Sequence, residues 1–425
     1  MGRLEKVLGL MSAFSASVML MTMCVKGEGI LGEQPSPDSQ VEDPEPPVKV
    51  RDTLYVTGVE YPDGYDWYQD SEYGEVRCFI FLEKEGKKIL RVPVGYEYET
   101  ASDVDMHRCF DGHLYTDYSS DTETVVKKDG EEIFRYKGRE MLVSFYVRNA
   151  DVYTLGVARS GEDGLTLRKN GKVEAFYETG VLLSGFREDG GRLSFTFFQD
   201  SAYSESGFEY YVYEEGEIRP FAEGSDVCNV LDAAVFNGEV CYVAECSDIA
   251  GYKYYCFCGN NVFSLDIGSY KYMEYACLML SSSSPVVCGV CSDSAGIPGK
   301  RRRQDYAGRE RSGEEQYFVW DCYGLKYGMD SGNIPEYSFV SDDVIYDIVS
   351  TDNIFSELVL CVDGKHKYAY GRNRWVVSPL PAIMVRGHMY FAFSGSDWPY
   401  RPFMSVDGKV TEGGFNGYFS SVSVW

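Results

Sequence analysis

Three residues near the start of the chain have the types and spacing that acid–base chemistry needs. Asp103, Asp105 and His107 alternate, so in an extended strand their side chains would share one face. Two carboxylates held close together can hydrolyse a glycosidic bond. The competing interpretation is a polar lining that holds water. We prefer that interpretation, because none of the four histidines lies in a HExxH, HxH or GxSxG context.

Two segments that combine aromatic residues with carboxylates are candidates for binding. The first contains Tyr65, Trp67 and Tyr68, and the second contains Trp398 and Tyr400. Aromatic rings stack on the apolar faces of sugars, and carboxylates accept hydrogen bonds from sugar hydroxyls. These segments therefore predict a glycan site. The alternative is that the rings only pin long loops onto the fold.

A third candidate segment is basic. Arg301, Arg302 and Arg303 stand together in a chain whose net charge is −26. Guanidinium groups bind carboxylate or sulfate groups through two parallel hydrogen bonds. The plainer interpretation is a loop whose charges are solvated.

The thirteen cysteines raise the question of disulfides and metal. Most of them stand in runs typical of strands, as Cys256 and Cys258 do, and buried thiols pack there as small hydrophobic groups. We expect core packing for most of them, with one or two disulfides as an alternative. A metal site at Cys288 and Cys291 is the least favoured interpretation, and the sequence predicts no cofactor.

The elements that must position these residues follow from a recurring turn. A turn that ends in glycine recurs eight times, and the glycines are 40 to 45 residues apart except for one interval of 65. In six copies a charged or amide residue precedes the glycine, and Cys258-Gly259 and Tyr323-Gly324 are degenerate copies. Asp-Gly and Asn-Gly between alternating apolar runs are strong hairpin signals. Four short strands in about 40 to 45 residues match one blade of a β-propeller. The sequence therefore predicts an all-β propeller over residues 50–425 as one domain, with eight blades favoured and seven as the alternative.

The end of the chain predicts how the ring closes. The run 418–425 resembles an inner strand without the rest of its unit, and the first unit, from Thr53, lacks an inner strand. Joining the two would leave no exposed sheet edge. Units one and six need the longest chain between their second strand and the glycine turn, so their inserted loops are expected on one rim, where binding residues concentrate.

The N-terminus predicts export. Arg3 and Lys6 precede an apolar stretch that ends at Cys24, which is typical of a secretory signal. The cysteine predicts lipid attachment in the manner of a bacterial lipoprotein, although Met23 stands where a small residue is usual. Residues 1–24 are thus interpreted as the signal peptide, and residues 25–49, rich in proline and acidic residues, as a linker. An ordinary signal peptide or an uncleaved anchor is the alternative.

The strand from Asp151 to Gly156 and the turn from Lys169 to Gly171, with their degenerate copies, resemble propeller-like secreted lipoproteins of gut Bacteroidetes. The resemblance implies an architecture and a cell-envelope location, periplasmic or at the cell surface, but no activity. Strong net acidity argues against nucleic acid as a partner, and we expect membrane contact only through the lipid anchor. The leading hypothesis is a non-catalytic protein that binds a polysaccharide or a surface protein, and the alternative is a glycan-active hydrolase or lyase.

Overall fold

The described part of the chain forms β-strands joined by tight turns. The computed structural model describes residues 53–63, 78–94, 107–119, 122–138, 140–158, 164–201, 207–222, 226–248, 251–281, 284–293, 315–330, 335–350, 357–376, 381–395 and 400–425. Within these residues every regular element is a strand. The predicted signal peptide, Cys24 and the linker lie outside them.

The strands follow one another in groups of four. The first fifteen are β1 Leu54–Glu60, β2 Cys78–Lys84, β3 Lys87–Val94, β4 His107–Phe110, β5 His113–Ser119, β6 Glu123–Lys128, β7 Glu131–Lys137, β8 Glu140–Arg148, β9 Asp151–Ala158, β10 Gly164–Lys169, β11 Lys172–Glu178, β12 Val181–Asp189, β13 Arg192–Asp200, β14 Phe208–Glu214 and β15 Glu217–Phe221.

The second half of the ring continues the pattern. Its strands are β16 Val227–Phe236, β17 Glu239–Asp248, β18 Gly251–Cys258, β19 Asn261–Leu265, β20 Tyr272–Leu280, β21 Pro285–Ser292, β22 Glu315–Asp321, β23 Gly324–Asp330, β24 Pro335–Ser341, β25 Val344–Ser350, β26 Glu357–Val362, β27 Lys365–Arg372, β28 Arg374–Trp375, β29 Ala382–Val385, β30 His388–Gly395, β31 Pro402–Val406, β32 Lys409–Glu412 and β33 Gly417–Val424.

These strands make eight antiparallel sheets, which we call blades 1 to 8 in chain order. Blade 1 contains β1–β3, blades 2 to 7 contain β4–β27 in sets of four, and blade 8 contains β28–β32. In blade 8 the inner position is shared by the short strands β28 and β29, which both pair with β30. The prediction of an eight-bladed β-propeller is confirmed.

The last strand closes the ring, as the sequence predicts. β33 pairs antiparallel with β1 and supplies the inner strand that blade 1 lacks. A buried hydroxyl cluster reinforces the pairing, with Thr57 Oγ1 2.6 Å from Ser421 Oγ and 3.0 Å from Ser420 Oγ. We call the boundary between blade 8 and blade 1 the seam.

The glycine turns that reveal the repeat lie between the third and fourth strands. In six blades both central residues have positive φ, for example Asn170 at 51° and Gly171 at 78°, as a type I′ turn requires. The two degenerate copies differ. In blade 5 the turn residues are Gly259 and Asn260, and in blade 6 Gly324 opens the following strand.

The residue before the turn glycine also links the turn to the second strand of its blade. Its side-chain oxygen accepts a hydrogen bond from the backbone N–H at the start of the second strand, which ties the turn to the middle of the blade. The six donor–acceptor pairs are Leu54 and Glu85 at 3.1 Å, Leu114 and Asp129 at 2.9 Å, Val152 and Asn170 at 2.8 Å, Leu193 and Glu215 at 2.5 Å, Ile345 and Asp363 at 3.1 Å, and Met389 and Asp407 at 2.9 Å.

The core lies between the faces of neighbouring blades. Trp320 of blade 6, for example, is fully buried among residues of blades 5 and 6, and its indole N–H donates to the Asp266 carbonyl at 3.1 Å. Large aromatic side chains recur at these boundaries because sheets that pack face to face need about 10 Å of filling.

The described cysteines divide between packing and one disulfide. Cys241 and Cys258 are disulfide-bonded across the paired strands β17 and β18. The remaining described cysteines are free, and eight of those ten are buried. Core packing is thus confirmed for most of the set, and Cys258 belongs to the disulfide alternative.

Candidate functional site

The eight blades present two different ends. One end, the turn end, carries the tight turns that join the first strand to the second and the third to the fourth. The opposite end, the loop end, carries the connections between second and third strands and between blades. The longest second-to-third connections are residues 61–77 in blade 1 and 293–314 in blade 6, whereas blade 5 uses only residues 249–250. The expected gathering of the long connections at one end is confirmed.

Two of the predicted site residues lie within the described part of the chain, namely His107 and Tyr400. The others lie outside it: Cys24, Tyr65, Trp67, Tyr68, Asp103, Asp105, Arg301, Arg302, Arg303 and Trp398. The described part of the candidate site therefore consists of His107, Tyr400 and the strand ends next to the predicted loops.

Tyr400 stands in an aromatic cluster at the loop end of the seam. It packs with Tyr61 and Tyr418 against the core of blades 1 and 2, and its ring centroid lies 6.5 Å from that of Tyr418 in an edge-on arrangement. The backbone N–H of Gly417 donates to the Tyr400 carbonyl at 2.8 Å. We call Tyr61, Tyr400 and Tyr418 the seam tyrosines.

The seam tyrosines include the described ends of the two aromatic segments that the sequence analysis identified as binding candidates. Tyr61 opens the connection 61–77, and Tyr400 follows residues 396–399. The backbone N–H of Tyr61 also donates to the Asn416 carbonyl at 2.8 Å. The described ends of two segments that are far apart in the sequence therefore lie next to each other. The sequence did not reveal this, because it depends on ring closure by β33.

Charged side chains lie at the end of β1 that leads into the connection 61–77. Glu60 accepts hydrogen bonds from Lys88 at 2.7 Å and from Arg91 at 3.1 Å. Burial opposes ionisation of Glu60, but these two cations outweigh it and lower its pKa. The Arg91 guanidinium also lies 3.3 Å from the centroid of the Phe79 ring. Fixed charges and an aromatic ring therefore stand near the start of this connection.

His107 occupies the first position of the inner strand of blade 2. Both of its ring nitrogens are buried, and neither has a hydrogen-bond partner among the described residues. Burial, followed by the positive charge of Arg108, lowers the pKa of His107 to about 4. The imidazole is therefore neutral at pH 7 and is poorly suited to donate a proton as a general acid.

Arg108 extends this polar interior towards the axis of the ring. Burial lowers the pKa of Arg108 to about 10, while Asp117 of the same blade and the Tyr337 phenol oppose that effect. Tyr337 belongs to blade 7, so polar groups of blades 2 and 7 interact across the ring. This environment agrees with the polar lining that the sequence analysis preferred.

Several buried acids have structural partners. Asp347 accepts hydrogen bonds from Tyr317 at 3.0 Å, Tyr327 at 2.6 Å and Ser338 at 2.7 Å. These contacts join blade 6 to blade 7. Burial nevertheless raises the pKa of Asp347, since it outweighs the three hydrogen bonds.

Two other buried carboxylates also bind neighbouring groups of the protein. Glu140 and Arg168 form an almost fully buried ion pair at 2.5 Å. Asp232 accepts the backbone N–H of Leu278 at 2.7 Å, which links the inner strands of blades 5 and 6. Because each carboxylate is engaged, these acids are better explained as links within or between blades than as catalytic groups.

Two searches for other kinds of site concern the described residues only. Among them, no group of three or more His, Cys, Asp or Glu side chains is placed to hold a metal ion. The same part of the chain contains no helix that is long and apolar enough to cross a bilayer.

Comparisons with known proteins extend the fold assignment. No family model and no curated protein matches the chain. Among solved structures, that of a dihydro-heme d1 dehydrogenase, NirN, in complex with DHE is similar over 87% of this chain and 74% of its own, with 10% identity and a TM-score of 0.50.

Two further solved structures have lower TM-scores. The β-propeller domain of the trilobed protease from Pyrococcus furiosus covers 64% of this chain, at 14% identity and a TM-score of 0.37. That domain is matched over 84% of its length. BamB from Moraxella catarrhalis covers 75% of this chain, over 94% of its own, at 8% identity and a TM-score of 0.36. At such low identity these likenesses concern the propeller fold alone.

Proposed function

We propose that the protein is a non-catalytic binding propeller of the cell envelope that holds a glycan at the loop end of the seam. The observation that supports the proposal is the contact among the seam tyrosines, which places the described ends of the two aromatic segments next to each other. A sugar site needs aromatic faces and hydrogen-bonding groups within a few ångströms of each other. The aromatic rings and carboxylates of the two segments would supply both.

The rigidity of the ring supports binding rather than a movable catalytic cleft. Closure by β33 and links such as the Asp347 cluster fix neighbouring blades relative to each other. A scaffold of this kind holds the binding groups that it carries at fixed relative positions, which favours affinity. The cell-envelope location rests on the N-terminal sequence, and lipid attachment at Cys24 belongs to the same proposal.

The test is affinity electrophoresis of the full chain through gels that contain single plant or host polysaccharides. We expect retardation by at least one polymer, abolished in Trp67→Ala and Trp398→Ala and reduced in Tyr400→Ala. Tyr323→Ala is the matched control, because Tyr323 is 94% exposed at the turn end and its loss should leave retardation unchanged.

Two results would overturn the proposal. No retardation by any polymer would reject the glycan and leave a protein partner as the ligand. Breakdown of the retarding polymer, lost in Asp103→Asn or Asp105→Asn, would establish the hydrolase alternative instead.

A further inference from the structure

A second surface at the seam is a groove between blade 8 and blade 1. Its volume is about 480 Å³. It runs from the turn at Glu85 and Gly86 to the connection at Gly413 and Gly414, along the side of the ring. The groove reaches the loop end at Gly413 and Gly414, but none of the seam tyrosines lines it, so it is a separate surface from the proposed glycan site.

The groove exists because a recurring contact between blades is missing. At three other boundaries the turn glycine of one blade packs on an aromatic ring in the outer strand of the preceding blade. A Cβ added to the glycine would lie 2.5 to 2.9 Å from that ring; the pairs are Gly171 on Phe134, Gly364 on Tyr327 and Gly408 on Tyr368. At the seam, a Cβ on Gly86 would meet nothing within 4 Å.

The outer strand of blade 8 explains this gap. Phe134 and Tyr368 pair with the residues that stand four before the turn glycines of their own blades. The corresponding residue of blade 8, Met404, pairs with Thr411, because β32 has no bulge. The small Thr411 side chain therefore stands where a ring would fill the space. A similar gap occurs at Gly216, where the small Ala175 of blade 3 takes the place of the ring.

The two walls of the groove are mainly apolar. Blade 1 contributes buried side chains, and blade 8 contributes side chains that are only half-buried. The wall residues are Leu54, Val56 and Phe419 on one side and Tyr390, Met404 and Val406 on the other. Apolar side chains that are left half-exposed in a concave surface can bury a ligand's aliphatic groups.

Three carboxylates line the groove, and one of them lacks a direct partner. Glu85 lies 3.6 Å from Arg386, and Glu412 lies 3.0 Å from Arg401. Glu83 makes no hydrogen bond or ion pair with any described residue. The nearby Lys88 attracts it electrostatically but is bonded to Glu60.

We propose that this groove binds an extended peptide segment of a partner protein in which a lysine or arginine stands between aliphatic residues. The aliphatic side chains would pack on the two walls, and the cation would pair with Glu83. The net charge of −26 attracts cationic segments from a distance. Burial raises the pKa of Glu83, as expected for a carboxylate that awaits a counter-charge.

The experiment uses the full chain and a fluorescein-labelled ten-residue peptide of alternating valine and lysine. Fluorescence anisotropy should show saturable binding. A valine–glutamate peptide should not bind, and a serine–lysine peptide should bind at least about tenfold more weakly, because the walls need aliphatic contacts. Equal binding of the serine–lysine peptide would reduce the interaction to non-specific charge attraction and overturn the proposal.

The variant Glu83→Gln locates the site. It should weaken binding of the valine–lysine peptide at least about tenfold, since the cation loses its partner in a partly buried setting. Glu174→Gln, which removes an exposed carboxylate of blade 3, should leave binding within about twofold. In the parent protein binding should fall as acid protonates Glu83, and Glu83→Gln should be less sensitive to that change.

Three further outcomes would reject this assignment. They are no saturable binding, equal binding by Glu83→Gln and the parent protein, and self-association in sedimentation velocity that Glu83→Gln abolishes. The last result would show that the groove binds a second copy of this chain. An unchanged circular dichroism spectrum of Glu83→Gln confirms that any loss of binding is not a loss of fold.

Discussion

The boundary between blades 6 and 7 and the seam between blades 8 and 1 solve the same packing problem differently. At the first, Asp347 binds three hydroxyls and Tyr327 covers the turn glycine Gly364. Backbone pairing of β33 with β1, inside blade 1, closes the ring. Side chains of blades 8 and 1 also pack together at the seam, but no ring covers the turn glycine Gly86, and room remains there for a ligand.

The largest expected effect comes from breaking the closure itself. Val422 is fully buried in β33, so Val422→Asp places a charge in the apolar boundary and should destabilise the fold by at least about 3 kcal/mol. We expect a much lower urea midpoint or no cooperative transition by tryptophan fluorescence. Val410→Asp, at a site that is 41% exposed, is the control. Equal effects of the two variants would show that β33 is not essential to the closed ring.

Acid should act in opposite directions through His107 and through Asp347. His107 accepts a hydrogen bond from the Thr57 hydroxyl through its backbone carbonyl, which joins blade 2 to blade 1. Its folded pKa of about 4 is below the usual 6.5, and hence the unfolded chain binds more protons between these values. Stability should fall as pH drops from about 6.5 to 4, by up to about 3 kcal/mol from this group.

The Asp347 carboxyl changes stability with pH in the opposite direction. Its folded pKa is raised, so the folded state binds the extra proton, and its contribution decreases as pH rises through that pKa. Urea midpoints measured across pH should show a smaller acid loss in His107→Gln. His366→Gln, at an exposed histidine, should follow the parent protein, and an unchanged profile for His107→Gln would contradict the assignment.

A third test removes the charge that links blades 6 and 7. Asp347→Asn replaces one oxygen with an amide that cannot accept a hydrogen bond, so one or more buried hydroxyls must change partners. We expect a loss of about 1 to 3 kcal/mol. Asp342→Asn, at an exposed turn position whose positive φ suits asparagine, should change the urea midpoint little. Equal midpoints for the two variants would mean that the Asp347 cluster does not stabilise this boundary.

The smallest expected effect sharpens the comparison by making the seam resemble the other boundaries. Thr411→Tyr supplies the ring that Phe134 and Tyr368 provide elsewhere. Filling the groove should raise stability by about 1 kcal/mol and abolish binding of the valine–lysine peptide. Glu174→Tyr, on an exposed part of blade 3, should do neither. Peptide binding that survives Thr411→Tyr would place the peptide elsewhere.

The sequence predicts the fold well because the turns carry local signals. Positive φ at two adjacent residues favours Asn, Asp or Gly there, and the spacing of the turn glycines, with two degenerate copies included, reveals eight blades. The residue before the turn glycine accepts a hydrogen bond from the second strand through its side-chain oxygen, which explains why Asp, Asn or Glu stands there. Ring closure follows from the incomplete units at the two ends of the repeat.

The contacts between blades could not be predicted in the same way. Asp347 and Tyr317 meet only because two blades pack face to face, and no local pattern encodes that meeting. The same holds for Tyr61 and Tyr400, which ring closure brings together. The sequence therefore identified the aromatic segments as candidates but could not show that they share one end of one boundary.

The most direct test of the seam as the binding region is hydrogen–deuterium exchange of the full chain, with and without the polysaccharide that retards it most. The account predicts slower exchange on binding in residues 53–63 and 400–425 and no change in residues 315–350. Protection in 315–350 without protection at the seam would contradict it.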